Sequence, residues 1–436
     1  KARQSGSIEV MEIDEGMMLL GLRAASWGIP FIPTEVGLGT DIITQNPDIK
    51  VIDSPYDDKE RVAMPALKLD ASLIHADKAD VRGVCQIAGP DHYMDDWFAR
   101  AAAKTYVSCD ELVETDYFHD PAQARMVHWE RSMTTGVIPI AGGAHPTSCS
   151  PLYGFDVPHF KAYSASAKAA TDYTLAELCI VAASQSFADE GEALGTGIGV
   201  IPRLAASLAM KTTNPDLMMT DSEAWMLSEP NPVGKRSADF VPATESWMGF
   251  SRIFDNVWSG KRHAMLGPTQ IDKFGQSNTS ALGGTYDKPK VMMLGARGFP
   301  GNSISHPNSF FVPDHNTRVF MEGECDFVSS IGYNPARLPR GHSLDDIDIR
   351  LVITNLCVMD FGGPDHQVRL VSLHPGVTVE QVQENTGYPV SISDTVPTTE
   401  APTAAQLDII AALDPHNQRA HQIKGNPPGN RALTEA

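Results

Sequence analysis

Short apolar runs of strand length alternate with longer stretches of helical apolar spacing along most of this chain. The clearest helical stretches are Glu15–Trp27 and Thr174–Phe187, and the strand-like runs include Val51–Asp53, Leu217–Thr220, Val291–Leu294 and Leu351–Leu356. This alternation is typical of α/β proteins, since parallel strands need a crossover helix between them. The pattern therefore predicts an α/β fold with largely parallel sheets, which bind ligands in the loops at the carboxyl ends of their strands.

The length and net charge of the chain limit the kinds of partner that it can bind. The 436 residues suffice for two or three domains, and 54 acidic against 34 basic residues give a net charge of −20. A surface this negative repels nucleic acid. The sequence has no apolar run near the roughly 20 residues of a membrane-spanning helix, so we expect a cytoplasmic protein without a membrane partner. The six cysteines stand singly, which favours reduced thiols.

A stretch of small residues, Ser164–Ala170, separates two parts of the chain, and the pattern restarts after it. Leu73–Gly83 before this boundary and Met265–Gly275 after it each combine an apolar run with an Asp three residues before a Gly. Such pairs indicate an internal duplication, although they also arise by chance. We therefore predict domains at residues 1–165 and 171–415, followed by a loose polar tail at 416–436.

The segment Leu373–Tyr388 (LHPGVTVEQVQENTGY) combines a Pro-Gly turn with a helix that has Thr378 as its N-cap. It resembles the C-terminal signature of the β subunits of class I coenzyme A-transferases. Gly267–Ser280 and Gly295–Asn302 are similar to a strand-turn segment and a glycine-rich loop of the same subunit. The resemblance covers roughly residues 171–415.

The first 165 residues resemble the α subunit of that family. The matching segments occur in the family's order: Glu12–Met17, Pro30–Asp41, Leu73–Gly83 and Gly142–Pro146. The resemblance implies two homologous open sheet domains of the NagB/RpiA/CoA-transferase type, with the active site between them. It also implies that the α-like part lacks an N-terminal strand-and-helix portion, and that fused units assemble into a homo-oligomer.

Three short segments are similar to the family members that open the last steroid ring of a CoA thioester by hydrolysis: Asp14–Gly16, Thr220–Ala224 and Asp360–His366. In the transferases of the family, a Glu attacks the thioester where Asp221 stands here, and Glu223 follows two residues later. An aspartate is one methylene shorter, and losing about 1 Å of reach costs on the order of 100-fold when attack geometry is strict. The resemblance therefore favours hydrolysis over transfer.

Hydrolytic ring opening requires a general base that activates water, and a carboxylate at a helix start suits this role. By resemblance, Glu15 is the expected base, and Asp221 positions the substrate or the water. An acidic residue in a first helical turn also has a structural explanation, since it interacts favourably with the helix dipole. Glu35 replaces the basic residue that the family commonly has there and would repel a substrate carboxylate, which leaves the exact acyl-CoA open.

The glycine-rich segment can bring backbone N–H groups close to a phosphate or a thioester oxygen. The resemblance implies that Gly295, Gly298, Gly301 and Asn302 bind CoA there, and that His366 either joins them or is a structural residue. We expect CoA only as part of the substrate, with no permanently bound cofactor. We expect no metal, because neither the histidines nor the cysteines have ligand spacing.

The function that the resemblance implies is hydrolytic ring opening of a cyclic β-keto acyl-CoA in steroid or cholesterol catabolism. The alternative is CoA transfer between an acyl-CoA and a carboxylate, with Asp221 or Glu223 as nucleophile. A third hypothesis, from another class, is a non-catalytic CoA-binding or assembly subunit.

Overall fold

A computed structural model describes residues 2–154, 173–194, 199–220, 225–237, 239–259 and 262–430. The α-helices in these ranges are α1 Ala2–Ser5, α2 Glu15–Trp27, α3 Asp41–Gln45, α4 Asp95–Ala101, α5 Pro121–Ala124, α6 Leu175–Ser184, α7 Val200–Lys211, α8 Phe250–Trp258, α9 Val379–Glu384 and α10 Ala404–Leu413. None of these helices is long and apolar enough to cross a lipid bilayer.

The strands that these ranges contain are β1 Phe31–Thr34, β2 Lys50–Asp53, β3 Glu60–Pro65, β4 Ser72–Ala79, β5 Cys85–Gln86, β6 Thr105–Leu112, β7 Thr134–Pro139, β8 Glu192–Ala193, β9 Met218–Thr220, β10 Trp225–Leu227, β11 Thr244–Trp247, β12 Arg262–Leu266, β13 Gln270–Ile271, β14 Ser277–Asn278, β15 Ala281–Thr285, β16 Lys288–Met292, β17 Asn308–Val312, β18 Ile349–Thr354, β19 Cys357–Asp360 and β20 Arg369–Leu373.

The strands form one nine-stranded sheet, one four-stranded sheet, one three-stranded sheet and two hairpins. In the nine-stranded sheet, ordered β11-β10-β9-β8-β12-β17-β18-β19-β20, the four central pairs are parallel and the two outer pairs on each side are antiparallel. The mixed α/β class is confirmed. The expectation of largely parallel sheets is correct for the centre of the nine-stranded sheet and for two of the three pairs of the four-stranded sheet, whereas the three-stranded sheet and both hairpins are antiparallel. Short turns such as the one between β18 and β19 impose antiparallel pairing.

The two helices with the strongest sequence pattern form where predicted. Helix α2 begins at Glu15 and ends at Trp27, where Gly28 adopts a left-handed conformation (φ +69°) and closes the helix. Helix α6 begins after Thr174, which forms a capping box with Glu177, and a 3₁₀ turn extends it to Phe187.

The largest hydrophobic core joins segments from both predicted domains. Met17, Val36 and Val62 from the first part are fully buried in the same cluster as Phe310 and Val352 from the second. Helix α2 and the three-stranded sheet therefore pack on the C-terminal part, which positions the start of α2 against its loops. The boundary stretch Ser164–Ala170 lies outside the described residues, and the division into residues 1–165 and 171–415 stays a prediction.

The Asp–Gly turns of the two similar segments have the same geometry. In each, one carboxylate oxygen accepts the backbone N–H groups two and four residues later, at 2.9 and 2.9 Å for Asp80 and at 3.0 and 3.1 Å for Asp272. Both aspartates are buried, and Gly83 and Gly275 both have positive φ. The segments thus share one local structure, as an internal duplication predicts.

The tail expected to be loose is packed over its described residues, 416–430. Arg419 is buried and forms ion pairs with Glu177 and Asp414, both at 2.9 Å. Ile423 is buried in the core that contains α6 and α7. The expectation of a loose tail was wrong because it rested on average polarity, whereas two buried ion pairs of Arg419 and one apolar anchor hold this segment.

Candidate active site

The start of α2 contacts the glycine-rich loop of the C-terminal part. The Glu15 backbone N–H donates to the carbonyl oxygen of Arg297 at 3.2 Å. The Glu15 side chain accepts from Arg297, with 2.9 Å between Oε1 and Nε. The Glu15 side chain is 35% exposed and that of Arg297 is 58% exposed, so the ion pair lies at the surface of a loop, within reach of a ligand.

The Asp14 side chain caps the first turn of α2. Its Oδ1 accepts the backbone N–H of Gly16 at 2.6 Å and that of Met17 at 3.2 Å, as an N-cap does. Burial raises the pKa of the Asp14 carboxyl to about 7, against the lowering effect of the two hydrogen bonds. The negative charge of Glu15 acts in the same direction as burial. The two neighbouring carboxyls therefore differ in environment, with Asp14 buried as the cap and Glu15 partly exposed beside Arg297.

The loop that carries Arg297 has an unusual backbone. Gly295 has φ +91°, and Arg297, which is not a glycine, has φ +53°. A 3₁₀ turn at Phe299–Gly301 then closes the loop. A left-handed conformation is costly for a residue with a Cβ and is found preferentially at functional sites. The backbone thus keeps Arg297 turned toward Glu15.

The two half-exposed glycines of this loop offer a matched test of its backbone. We expect Gly295→Ala to lower the free energy of unfolding by about 1–3 kcal/mol, because alanine is strained at φ +91°. Gly298→Ala is the control. Gly298 has φ −89°, and a Cβ there would have no neighbour closer than the Asp14 Oδ2 at 4.0 Å, so we expect a change below about 0.5 kcal/mol. Urea unfolding of both variants measures the difference. Equal losses would contradict the proposed strain.

The segment Pro30–Asp41 also contacts the glycine-rich loop. The Gly37 N–H donates to the carbonyl oxygen of Pro300 at 3.0 Å. Glu35 forms an ion pair with Arg61 at 3.3 Å. The same guanidinium also pairs with Asp57 at 2.5 Å, so one cation faces two carboxylates and offsets the charge of Glu35 only in part.

Gly301 and Asn302 form the buried end of the glycine-rich loop. Asn302 is 3% exposed, and its carbonyl oxygen accepts the hydroxyl of Ser303 at 2.6 Å. Its amide Nδ2 is buried without a hydrogen-bond partner among the described residues. Of the four loop residues predicted to bind CoA, Gly295 and Gly298 are therefore the two with accessible backbone, whereas Gly301 and Asn302 support the loop from within.

His366 lies elsewhere, on the exposed turn between β19 and β20. Its ring stacks on that of Tyr333, with 4.8 Å between centroids. Within the part of the chain that the structure describes, no contact joins it to Glu15 or Arg297, and its role in CoA binding stays a prediction. Asp221 and Glu223 lie outside the described residues, so their roles also stay predictions.

Arg297 is the site residue that sequence reasoning missed. It stands inside the glycine-rich segment Gly295–Asn302, in which the predicted ligands were three glycines and Asn302. The available signal was its type, because Arg297 is the only cation of that loop and thioester chemistry develops negative charge.

Comparisons with known proteins identify the family of this chain. A family model described as Coenzyme A transferase matches residues 1–122. The chain is 39% identical over 254 residues to the IpdB subunit of a cholesterol ring-cleaving hydrolase from Rhodococcus jostii strain RHA1, a match that covers 58% of this chain and 97% of that subunit. It is 38% identical over 174 residues to the IpdA subunit from the same organism, which covers 38% of this chain and 59% of that subunit.

A solved structure extends the likeness across both parts of the chain. The acyl-CoA transferase YdiF from E. coli O157:H7, in a thioester complex with CoA, is similar over 92% of this chain and 77% of its own, with a TM-score of 0.66 and 15% identity. This structural likeness shows a shared fold, and the 39% identity to nearly the whole IpdB subunit shows common descent. The chain belongs to the coenzyme A transferase family.

Proposed function

We propose that this protein opens a carbon ring of a cyclic β-keto acyl-CoA by hydrolysis, in the catabolism of steroids such as cholesterol. The observation that carries the proposal is the Glu15 carboxylate held against Arg297 beside the glycine-rich loop. Similarity to both subunits of a cholesterol ring-cleaving hydrolase supports the substrate class. CoA enters as part of the substrate, ring opening uses no permanently bound cofactor, and the chain acts in the cytoplasm as a homo-oligomer.

The reaction begins when Glu15 takes a proton from water, and the hydroxide adds to the ring ketone carbon. The tetrahedral oxyanion collapses to a carboxylic acid, and the bond between that carbon and the thioester α-carbon breaks. The electron pair of this bond leaves as the thioester enolate, which takes at its α-carbon the proton that Glu15 removed from water, and Glu15 returns to its carboxylate form. We assign Asp221 to the positioning of the substrate or the water.

The residues around the Glu15–Arg297 ion pair suit a cyclic β-keto acyl-CoA. The backbone of Gly295 and Gly298 is accessible for contact with CoA or with the thioester oxygen. Val291, Met292 and Leu294, directly before the loop, are 50%, 41% and 81% exposed. Exposed apolar side chains at a site commonly mark a contact with apolar ligand surface, here the alicyclic rings of the acyl group.

The assay that tests this proposal separates ring opening from thioester cleavage. A small cyclic β-keto thioester, 2-oxocyclohexanecarboxyl-CoA, is incubated with the full chain and no acceptor carboxylate. We expect a product that gains the mass of one water and keeps its CoA. Release of free CoA thiol would instead indicate thioester hydrolysis. An enzyme-bound thioester trapped by hydroxylamine or borohydride would indicate transfer through Asp221 or Glu223.

Arg297 has two roles in this mechanism, which predict a graded loss of activity. It orients Glu15, and its guanidinium offers N–H groups to the developing oxyanion. We expect Arg297→Ala to lower kcat by about 100-fold, as removal of an oxyanion donor does. Arg297→Lys keeps the positive charge but loses the fixed Nε donor. Its kcat should therefore fall between that of the unaltered chain and that of Arg297→Ala. Steady-state kinetics with the cyclic β-keto thioester measure kcat of the unaltered chain and of both variants. A lysine variant as slow as the alanine variant would show that charge alone contributes nothing.

A further inference from the structure

A histidine, an aspartate and a cysteine meet at the four-stranded sheet, away from the candidate active site. His75 lies on β4, Asp110 lies on β6 and Cys149 lies in the segment after β7. One potential ligand atom from each, a ring nitrogen, a carboxylate oxygen and the Sγ, lies within 4.8 Å of the other two. The His75 side chain is 18% exposed, that of Asp110 is 6% exposed, and Cys149 is half-buried. The parallel pairing of β4, β6 and β7 brings together residues far apart in sequence.

Two of these side chains are already oriented by neighbours. His75 Nε2 lies 2.7 Å from Asp110 Oδ2, and its Nδ1 lies 2.9 Å from the Ser108 hydroxyl. The other Asp110 oxygen accepts the Gly142 backbone N–H, and the Tyr153 hydroxyl lies 3.2 Å from Oδ2. Metal-binding histidines and carboxylates usually have such second partners, because these fix the ring and the carboxylate plane.

We propose that His75, Asp110 and Cys149 bind one zinc ion, with a water molecule as fourth ligand. Imidazole, carboxylate and thiolate together form a donor set that zinc prefers, at about 2.0–2.3 Å from the ion. Tetrahedral ligands at these distances lie about 3.3–3.8 Å apart, so the His75–Asp110 contact opens by about 1 Å when the ion enters. The ion takes the place of the proton that the two side chains otherwise share. The Cys149 thiol releases its proton to solvent on binding.

The site has a defined consequence for the fold. The segment after β7 carries Gly142, Cys149 and Tyr153, and it approaches β4 so closely that a Cβ at Gly143 would lie 2.6 Å from the His75 ring. A zinc ion would fasten this segment to two adjacent strands. None of the three ligands takes part in the proposed ring-opening step, so the site is independent of the proposed function. This proposal replaces the sequence-based expectation of no metal.

The full chain, stripped with EDTA and dialysed, is titrated with Co²⁺, which reports thiolate coordination by a charge-transfer absorption band. We expect one equivalent of Co²⁺ to produce the band and excess Zn²⁺ to remove it. Cys149→Ser should abolish the band. Ser108→Ala removes only the hydroxyl at His75 Nδ1 and should weaken affinity about 10- to 100-fold. His119→Gln, at an exposed histidine of the same half, is the matched control and should bind as the unaltered chain does.

Alkylation adds a readout that needs no substitution. Zn²⁺ should slow modification of Cys149 by iodoacetamide at least about tenfold, measured by peptide mass spectrometry, and should leave the rate at Cys325 unchanged. A Co²⁺ band that persists in folded Cys149→Ser would overturn the proposal. Unchanged alkylation of Cys149 at saturating Zn²⁺ would do the same, and would identify the cluster as a metal-free hydrogen-bond network.

Discussion

Replacing Glu15 by glutamine should lower the rate of ring opening at least about 100-fold, because general-base catalysis typically contributes 10²- to 10⁴-fold. Glutamine has nearly the same shape and can still accept a hydrogen bond from Arg297 at the position where Oε1 now lies 2.9 Å from Nε. What it lacks is the capacity to take a proton from water. The decrease should therefore appear in kcat, measured with the cyclic β-keto thioester.

Two measurements exclude a trivial loss of structure. The Glu15–Arg297 pair is half-exposed, so its loss should change stability by no more than about 1 kcal/mol, seen as a nearly unchanged unfolding midpoint. Glu9→Gln changes an exposed carboxyl in the segment before α2 and should leave kcat as it is. Full activity in Glu15→Gln would assign the base to another residue and leave α2 with a merely structural carboxylate at its start.

Replacing Arg262 by methionine should lower the free energy of unfolding by about 3–5 kcal/mol. Arg262 on β12 is fully buried and donates from Nε to Glu192 Oε1 on β8 at 2.8 Å. The two residues are direct partners in the parallel pairing of these strands. Removing the guanidinium takes away the contacts that Arg262 makes with the buried Glu192 carboxylate, and the loss of one member of a buried ion pair is strongly destabilising.

The double variant Arg262→Met, Glu192→Leu separates the two contributions to this loss. With both charges replaced by apolar side chains, most of the stability should return, since the cost comes from burying a carboxylate without the Arg262 guanidinium rather than from the absence of the ion pair itself. Urea unfolding of the two variants and the unaltered chain measures the difference. A double variant as unstable as Arg262→Met would show that packing around the guanidinium, not charge, dominates.

Local sequence signals were sufficient to predict helix starts and ends, because there a residue and its partner are close in the chain. Asp14, Glu15 and Gly28 define α2 from its N-cap to its left-handed end, and the helix begins and ends as predicted. Thr378 likewise caps α9 through Gln381. Capping depends on backbone N–H groups within one turn, and for this reason a short segment contains all the information.

Contacts between distant segments escaped sequence reasoning. Glu15 could be proposed as a base from its motif, but its partner Arg297 became evident only when the loop was seen to lie against α2. His75, Asp110 and Cys149 have no ligand spacing because their proximity depends on the order of three strands. The antiparallel outer strands of the large sheet were missed for the same reason, since pairing direction depends on the connections and not on apolar periodicity.

The proposed base and its guanidinium partner reside on one polypeptide, within a core to which both halves contribute. The two relatives from Rhodococcus jostii divide the corresponding lengths between an A and a B subunit. In a divided protein the pairing of halves is bimolecular and weakens on dilution, whereas a covalent connection makes it intramolecular at a constant effective concentration. Fusion therefore guarantees equal numbers of both halves and keeps the Glu15–Arg297 pair assembled even when the protein is scarce.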